Sequence, residues 1–403
     1  VKLGRASVLR LSLLAFGLFV VGTNAFVIAG VLPQIAQTLG VGPGTVGYSI
    51  SIYAAVVAVA APLVSVTCSR FAPERLMATG LVLIAAGTFL AAAADSFPVF
   101  TAGRIVAAFG GAALVPSALA AAPTLVAPAL RGRAISIVGL GFTLAMAVGS
   151  PIGTALADVG GWRLPLTVLA GMAAVLVPAL LLVVRGVPRS VAVALRARAT
   201  VLGDRRVVFA IVASLLMTMA FNMVYIFSAV LTDDATAGDH TQLAVLLLVY
   251  GLAGVLGNIL GGRLADRFGT RRTLQIVLTG QTVAFLALIP AHGSYVATAV
   301  CFALSGVSGF AASVAVQVRL ALIDPRFANI ALAWYSTAMY LGISIAPLIG
   351  AAALPLGFTV LLSAAAVSIL VAVIASEVSH TGRRDYDEVA RDQEMVCASA
   401  TRS

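Results

Sequence analysis

Charge is what this sequence has least of. Asp, Glu, Lys and Arg make up only 10% of its 403 residues, against about 25% in a soluble globular domain. A soluble fold is excluded, and so is a disordered chain, which needs abundant charge and little apolar content. Cysteine is scarce as well: Cys68, Cys301 and Cys397 stand far apart, which excludes a disulfide scaffold. The three histidines, His240, His292 and His380, share no metal-ligand spacing with the cysteines or the acids, and neither a nucleophile elbow nor a phosphate-binding loop occurs. No enzyme, metal site, cofactor or integral ATPase domain is expected.

What is present is apolar. Hydrophobic residues are 61% of the chain, enough for roughly twelve spans at about 20 residues each. The apolar runs lie near 11–32, 46–68, 76–94, 97–122, 134–157 and 165–184, then near 208–231, 243–262, 273–291, 295–318, 330–353 and 358–376. The expected fold is an all-α polytopic membrane protein with 12 transmembrane helices in two pseudo-symmetric six-helix halves. The expected boundaries are a bundle over 1–184, an Arg-rich linker over 185–207, a second bundle over 208–376 and a tail over 377–403. The first run is too long for a signal peptide and lacks a small-residue cleavage site, so it reads as a retained helix.

The net charge of +10 comes from 25 basic and 15 acidic residues, and its placement is one-sided. Of the cations, 23 fall in the terminal segments, the linker and the alternate short loops. The opposite loops hold only Arg163, together with Asp95, Asp158, Asp233, Asp234 and Asp239. Short loops rich in Lys and Arg stay in the cytoplasm, so both termini are expected there. The excess charge records topology and makes no case for nucleic acid.

The halves repeat at a spacing of 196 residues, which lays Pro151 on Pro347 within Gly149-Ser150-Pro151-Ile152-Gly153 and Ala346-Pro347-Leu348-Ile349-Gly350. The turn from Ser69 to Arg75 likewise matches the turn from Asp266 to Arg272. Repeated halves of this kind suggest a transporter with its site near the midplane and alternating access between the halves.

The run Gly262-Arg263-Leu264-Ala265-Asp266-Arg267-Phe268-Gly269-Thr270-Arg271-Arg272 resembles the cytoplasmic-loop signature of the major facilitator superfamily, within it the twelve-helix drug:proton antiporter group. The resemblance implies a charge latch at Asp266 and Arg267, with Gly269 permitting the turn. Gly149, Pro151 and Gly153 are similar to the antiporter signature of the fifth helix in exporters, where they bend it and let a neighbour approach. The first helix, from Gly22-Thr23-Asn24-Ala25-Phe26 to Leu32-Pro33, resembles the chloramphenicol-resistance and arabinose-efflux permease branch. There are departures: Ser69 and Ala72 replace the acid and the glycine of the first-half loop, and Ala25 stands where many members of the branch carry glutamate. The resemblance implies a multi-pass protein of the bacterial plasma membrane, a monomer in the lipid bilayer, with a small-molecule substrate and protons as the candidate counter-ion.

Proton coupling needs a titratable group inside the spans, and all fifteen acids fall in loops, helix ends or the tail. Coupling then runs through a peripheral acid such as Asp95 or Asp158, or the protein is a facilitator or drives export some other way. Arg104 is read as the only charge within an apolar run, and a cation at that depth is functional by default; it bonds groups such as Asn24, holds an anionic substrate or snorkels outward. In the superfamily helices 1, 4, 7 and 10 line the cavity, which makes Asn24, Arg104, Asn222, Tyr225, Phe221 and Gln317 the expected substrate contacts, with Tyr53, Asn258 and Gln281 as weaker candidates. Arg104, Asp266, Arg267, Gly269, Gly149, Pro151 and Gly153 are the expected coupling and gating residues. The expected function is secondary active export of small amphipathic drugs or metabolites. Sugar or sugar-alcohol efflux, and a non-transporting sensor or assembly protein that keeps the fold, are the alternatives.

Overall fold

A computed structural model describes residues 4–68, 71–127, 130–188, 200–324 and 327–381. The linker and the tail expected at 185–207 and 377–403 lie only partly within them, and Ser69, Arg70 and Cys397 lie outside.

In hydrocarbon every backbone N–H and C=O must bond within its own segment, so the apolar runs become helices. The first half holds α1 (Arg5–Leu39), α2 (Pro43–Thr67), α3 (Pro73–Ala92), α4 (Phe97–Ala121), α5 and α6 (Arg163–Val183). Helix α5 is one span in three pieces, Arg131–Leu144, a π turn at Ala145–Gly149, and Ser150–Gly160. The second half holds α7 (Arg205–Ile226), α8 (240–268), α9 (270–291), α10 (Tyr295–Ile323), α11 (Ala328–Ala353) and α12 (Phe358–Thr381). Among the described residues there is no strand. Helices α8 and α9 follow one another without a loop over 52 residues, which at about 1.5 Å per residue would far exceed a bilayer. Gly269 divides them with φ 76° and ψ 160°, a conformation open to glycine. Eleven apolar helical stretches among the described residues are therefore twelve spans.

Both described chain ends lie at the face that carries the basic loops, called here the basic end; the opposite face is the acidic end. Local signals mark the turns. Gly40 closes α1 in the left-handed conformation, and Pro43 and Pro73 open α2 and α3 at positions where a missing N–H costs nothing. Asp204 caps α7 by accepting from the Arg206 backbone N–H at 2.8 Å. Burial pushes the Asp204 carboxyl upward, but hydrogen bonds and charge from Arg206 outweigh it and hold the group below the usual range. At the acidic end Arg163 donates to the Ala92 and Ala94 carbonyls that end α3, and pairs with Asp95 at 2.8 Å.

The two halves meet at the acidic end. Ser344 of α11 donates to the Ser51 carbonyl of α2 at 2.9 Å. Thr241 of α8 donates to Asp158 of α5 at 3.0 Å. Phe26 of α1 meets Tyr225 of α7 edge-to-face at 5.7 Å between ring centroids. Glycine makes the rest of this seal possible. A Cβ on Gly251 of α8 would lie 2.1 Å from Ala147 Cα, and one on Gly44 of α2 would lie 2.9 Å from Ala351 Cβ. Toward the basic end α2 and α11 part, and a cavity of about 430 Å³ opens between α2, α4 and α11.

Because Gly251 meets backbone and not a movable side chain, Gly251→Leu is expected to cost about 1–3 kcal/mol in the state sealed at the acidic end and to favour opening there. Ser344→Cys, in a protein with Cys68, Cys301 and Cys397 replaced by serine, should react severalfold faster with an impermeant maleimide applied at the acidic side once Gly251→Leu is added. An unchanged rate would show that this contact does not hold the seal.

Candidate functional site

Arg104 lies two turns into α4, 1% exposed. Its Nη1 donates to the Asn24 carbonyl of α1 at 2.7 Å and also to the Asn24 side-chain oxygen, while Asn24 Nδ2 donates to Thr88 of α3. The guanidinium lies over the Tyr53 ring of α2, 4.3 Å from its centroid. Four spans thus converge on one cation. Glycines bring two of them together: a Cβ on Gly103 would lie 2.6 Å from backbone atoms of Gly87 and Ala91, and one on Gly110 would lie 2.4 Å from the Gly80 carbonyl. Among the described residues no carboxylate pairs with Arg104. Magnitudes explain how it is tolerated: a cation at the centre of a span costs ~2.5–3.5 kcal/mol on insertion scales. A desolvated cation–π contact returns about 2 kcal/mol, and a hydrogen bond from a charged group about 1.5–3 kcal/mol. Arg104 is a cross-helix clamp, and the outward snorkel among its expected roles does not occur. Nor is it the only charge inside a span: Arg319 is also buried, in α10, and donates to the Ser379 carbonyl of α12. That residue sits where the sequence places a flanking loop charge, because α10 runs further than its apolar run.

The fifth helix is built by its proline and glycines. Pro151 has no N–H to offer the preceding turn, and the ladder shifts so that the Ser150 N–H reaches the Ala145 carbonyl five residues back. A Cβ on Gly149 would lie 2.1 Å from Thr23 Oγ1 of α1, and one on Gly153 would lie 2.4 Å from Val27. The bent segment is therefore pressed on α1 from one side and, through Ala147, on Gly251 of the other half.

In the second half Phe221 and Tyr225, one turn apart on α7, pack on Tyr250 of α8 at 5.3 and 5.4 Å between ring centroids. Phe302 and Phe310 of α10 complete the cluster at 6.3 and 6.1 Å from Tyr250. Asn222 donates to the Thr218 carbonyl of its own helix at 2.8 Å, and its Oδ1 finds no partner. Gln317 donates to the Ser313 carbonyl of its own helix at 3.1 Å.

The 430 Å³ cavity is walled by α2, α4 and α11, with Leu202 beside them, so that of the helices 1, 4, 7 and 10 that the resemblance implies only the fourth contributes to it. None of Asn24, Arg104, Asn222, Tyr225, Phe221 and Gln317 is in its wall. Its lining includes Ala61, Pro62, Pro116, Trp334, Thr337 and Tyr340, and among the described residues it carries no charged side chain. Arg104 reaches it indirectly, since the Tyr53 hydroxyl lies 3.1 Å from where a Cβ on the wall residue Gly111 would sit. At the α8–α9 turn Asp266, Arg267 and Gly269 are exposed, and among the described residues Asp266 has no ion-pair partner across the halves. Arg267 lies instead over the neighbouring Phe268 ring at 5.2 Å.

Sequence reasoning misses Tyr250, Trp334, Tyr340 and the seal glycines. A signal for Tyr250 exists, since a tyrosine deep in an apolar run needs a partner for its hydroxyl; the cavity residues carry none.

The sequence model of the Major Facilitator Superfamily matches residues 14–236 and 231–386. An uncharacterized MFS-type transporter of Bacillus subtilis, YbcL, is 25% identical over 341 residues, 85% of this chain and 87% of that protein. A "Chloramphenicol resistance protein" of Streptomyces lividans is 35% identical over 268 residues, 64% of this chain and 67% of the relative. Among solved structures, that of the nucleoside transporter NupG is similar in fold with a TM-score of 0.77 at 12% identity, covering 94% of this chain and all of that one.

The clamp at Arg104 has a direct check. In a double-mutant cycle of Arg104→Ala and Asn24→Ala, followed by unfolding in mixed micelles, the coupling energy should fall at about 0.5–3 kcal/mol. Additive losses would mean that the two side chains do not act together.

Proposed function

Because this chain belongs to the major facilitator superfamily, we propose that it is a secondary active exporter of small, uncharged amphipathic molecules, drugs or metabolites, working by alternating access. The observation that carries this is the cavity. About 430 Å³ is of the size that takes a drug-like ligand, and its wall combines aliphatic side chains and one Trp with the hydroxyls of Ser65, Ser336, Thr337 and Tyr340. Such a lining favours an apolar body with few polar groups and offers nothing to an ion. Sugar efflux is disfavoured on the same ground, since among the described residues no amide or carboxylate lines the cavity to hold a polyol.

The basic end is the cytoplasmic end by the distribution of arginine, so a chain sealed at the acidic end and open at the basic end is poised to take substrate from the cytoplasm or the inner leaflet. The antibiotic named in the Streptomyces relative makes chloramphenicol the first substrate to try. Protein and site lie within one chain in the bacterial plasma membrane, acting as a monomer. A sensor or assembly role would need a partner at the linker, and the cavity argues for transport.

Coupling to protons is assigned to Asp158. Asp95 is tied to Arg163 within its own half, whereas Asp158 accepts from Thr241 across the seam. Loss of that bond loosens the seal as the outward state forms.

Inverted membrane vesicles should accumulate chloramphenicol. Ala61→Phe and Thr337→Phe, which fill the cavity, should abolish uptake without lowering the amount of protein in the membrane; flux that persists in both variants would remove the cavity from the route. Arg104→Ala and Asn222→Ala measure how far the expected contacts matter. A proton gradient, acid inside, should raise uptake severalfold in the native protein and leave Asp158→Asn unaffected. Gradient-independent uptake by the native protein would mark a facilitator.

A further inference from the structure

The wall of the 430 Å³ cavity is uneven in its hydrogen-bond polarity. Ser336 and Thr337 of α11 donate to the Leu332 and Ala333 carbonyls one turn back in their own helix, at 3.2 and 3.3 Å, and Ser65 of α2 donates to the Pro62 carbonyl at 2.8 Å. A hydroxyl has a single proton, so all three spend it on backbone and keep only lone pairs for the space they line. The two wall prolines act in the same sense. Pro62 lies inside α2 and Pro116 inside α4, and proline has no N–H for the carbonyl four residues back. The Ala58 and Ala112 carbonyls thereby lose their usual helical donor, and Ala58 is itself in the wall.

Donors are few by comparison. The backbone N–H groups of a span are committed within it, and among the described wall residues only Trp334 and Tyr340 carry a further side-chain donor. A ligand acceptor such as an ether oxygen gains a bond from Ser336 or Thr337 only when the hydroxyl lets go of its own carbonyl, so one bond replaces another. A ligand donor adds a bond and breaks none. Backbone carbonyls can only accept, so those freed by proline add to the same bias. On α11, Tyr340 follows Thr337 by three residues and Ser336 by four, which puts the three hydroxyls on one face, about 5 Å apart along the axis.

We propose that the cavity selects its ligand by hydrogen-bond donors: it takes uncharged molecules with a bulky apolar body and one or two hydroxyl or N–H groups, and discriminates against ethers and esters of the same shape, with Ser336 and Thr337 as the selecting residues. The proposal rests on the export reading for its biological use and narrows the class of the exported molecule. The apolar body lies against Val57, Ala61, Val115 and Leu119. The ligand donor is accepted by Ser336 or Thr337, and the oxygen of a ligand hydroxyl accepts in turn from Tyr340. Selection follows because a ligand without a donor leaves the wall's acceptors unmet.

The test uses the purified full chain in lipid nanodiscs and two probes of one shape, 4-cyclohexylphenol and its methyl ether, with binding measured by equilibrium dialysis and corrected for partition into nanodiscs without protein. The phenol should bind about tenfold more tightly than the ether, the effect of one hydrogen bond. Ser336→Ala combined with Thr337→Val removes both hydroxyls and keeps the wall filled; it should cut that ratio severalfold by weakening the phenol, with a thermal midpoint near the native value. Ala61→Phe, which fills the cavity, should abolish binding of both probes. Equal binding of phenol and ether by the native chain, no binding of either, an undiminished ratio in the double variant, or binding that survives Ala61→Phe overturns the proposal. Vesicle flux separates the two ideas: export with no preference for donors leaves the exporter and removes this selectivity, whereas donor-selective binding without flux leaves the selectivity and removes the exporter.

Discussion

The close approach of α5 to its neighbours on both sides is the constraint on which the rest of the molecule depends. A membrane interior gives helices no hydrophobic reason to associate, so association rests on packing, and small residues set how near two backbones can come. Between Ala145 and Gly149 the chain is wedged between α1 of its own half and α8 of the other. Pro151 makes the π turn and the glycines make room for it. A seal of this kind is dense where the small residues are and absent where they give way to larger ones, which is why contact is confined to one end and a cavity opens at the other.

A second constraint is electrostatic. Arg104 carries a full charge into the first half, and the fold answers with a carbonyl, an amide oxygen and a tyrosine face in place of an acid. An ion pair there would neutralise the charge but would also add a second ion to desolvate. Neutral dipoles avoid that cost.

The twelve spans, their order, the bend of the fifth helix at Gly149, Pro151 and Gly153 and the burial of Arg104 were legible in the amino-acid sequence, because length, breaker residues and a charge within an apolar run are local signals. What joins the halves was not. Gly251 and Gly44 look like ordinary glycines of apolar runs, and only the partner backbone a few ångströms away gives them meaning. Membrane helices are apolar on most faces, so periodicity does not say which face meets a neighbour. For that reason Asn222 and Gln317 stood out in the sequence, yet satisfy themselves partly on their own helices, while Tyr250 and Tyr340 drew no notice. The buried Arg319 was hidden by its position at the edge of a run: the helix continues past the apolar stretch, and its guanidinium turns inward to α12.

The α8–α9 turn then takes on a specific meaning. Asp266 and Arg267 are exposed, and the two halves have parted at the end of the molecule where that turn lies. The seal at the acidic end and the free turn at the basic end are two aspects of one arrangement. Closing the basic end requires the glycine contacts around α5 to separate, because both ends belong to the same stiff spans. The energy that holds this state thus sits in the backbone contacts of Gly251 and Gly44, far from the cavity that a substrate fills, and a ligand shifts the balance only through the contacts it makes in one state and not in the other.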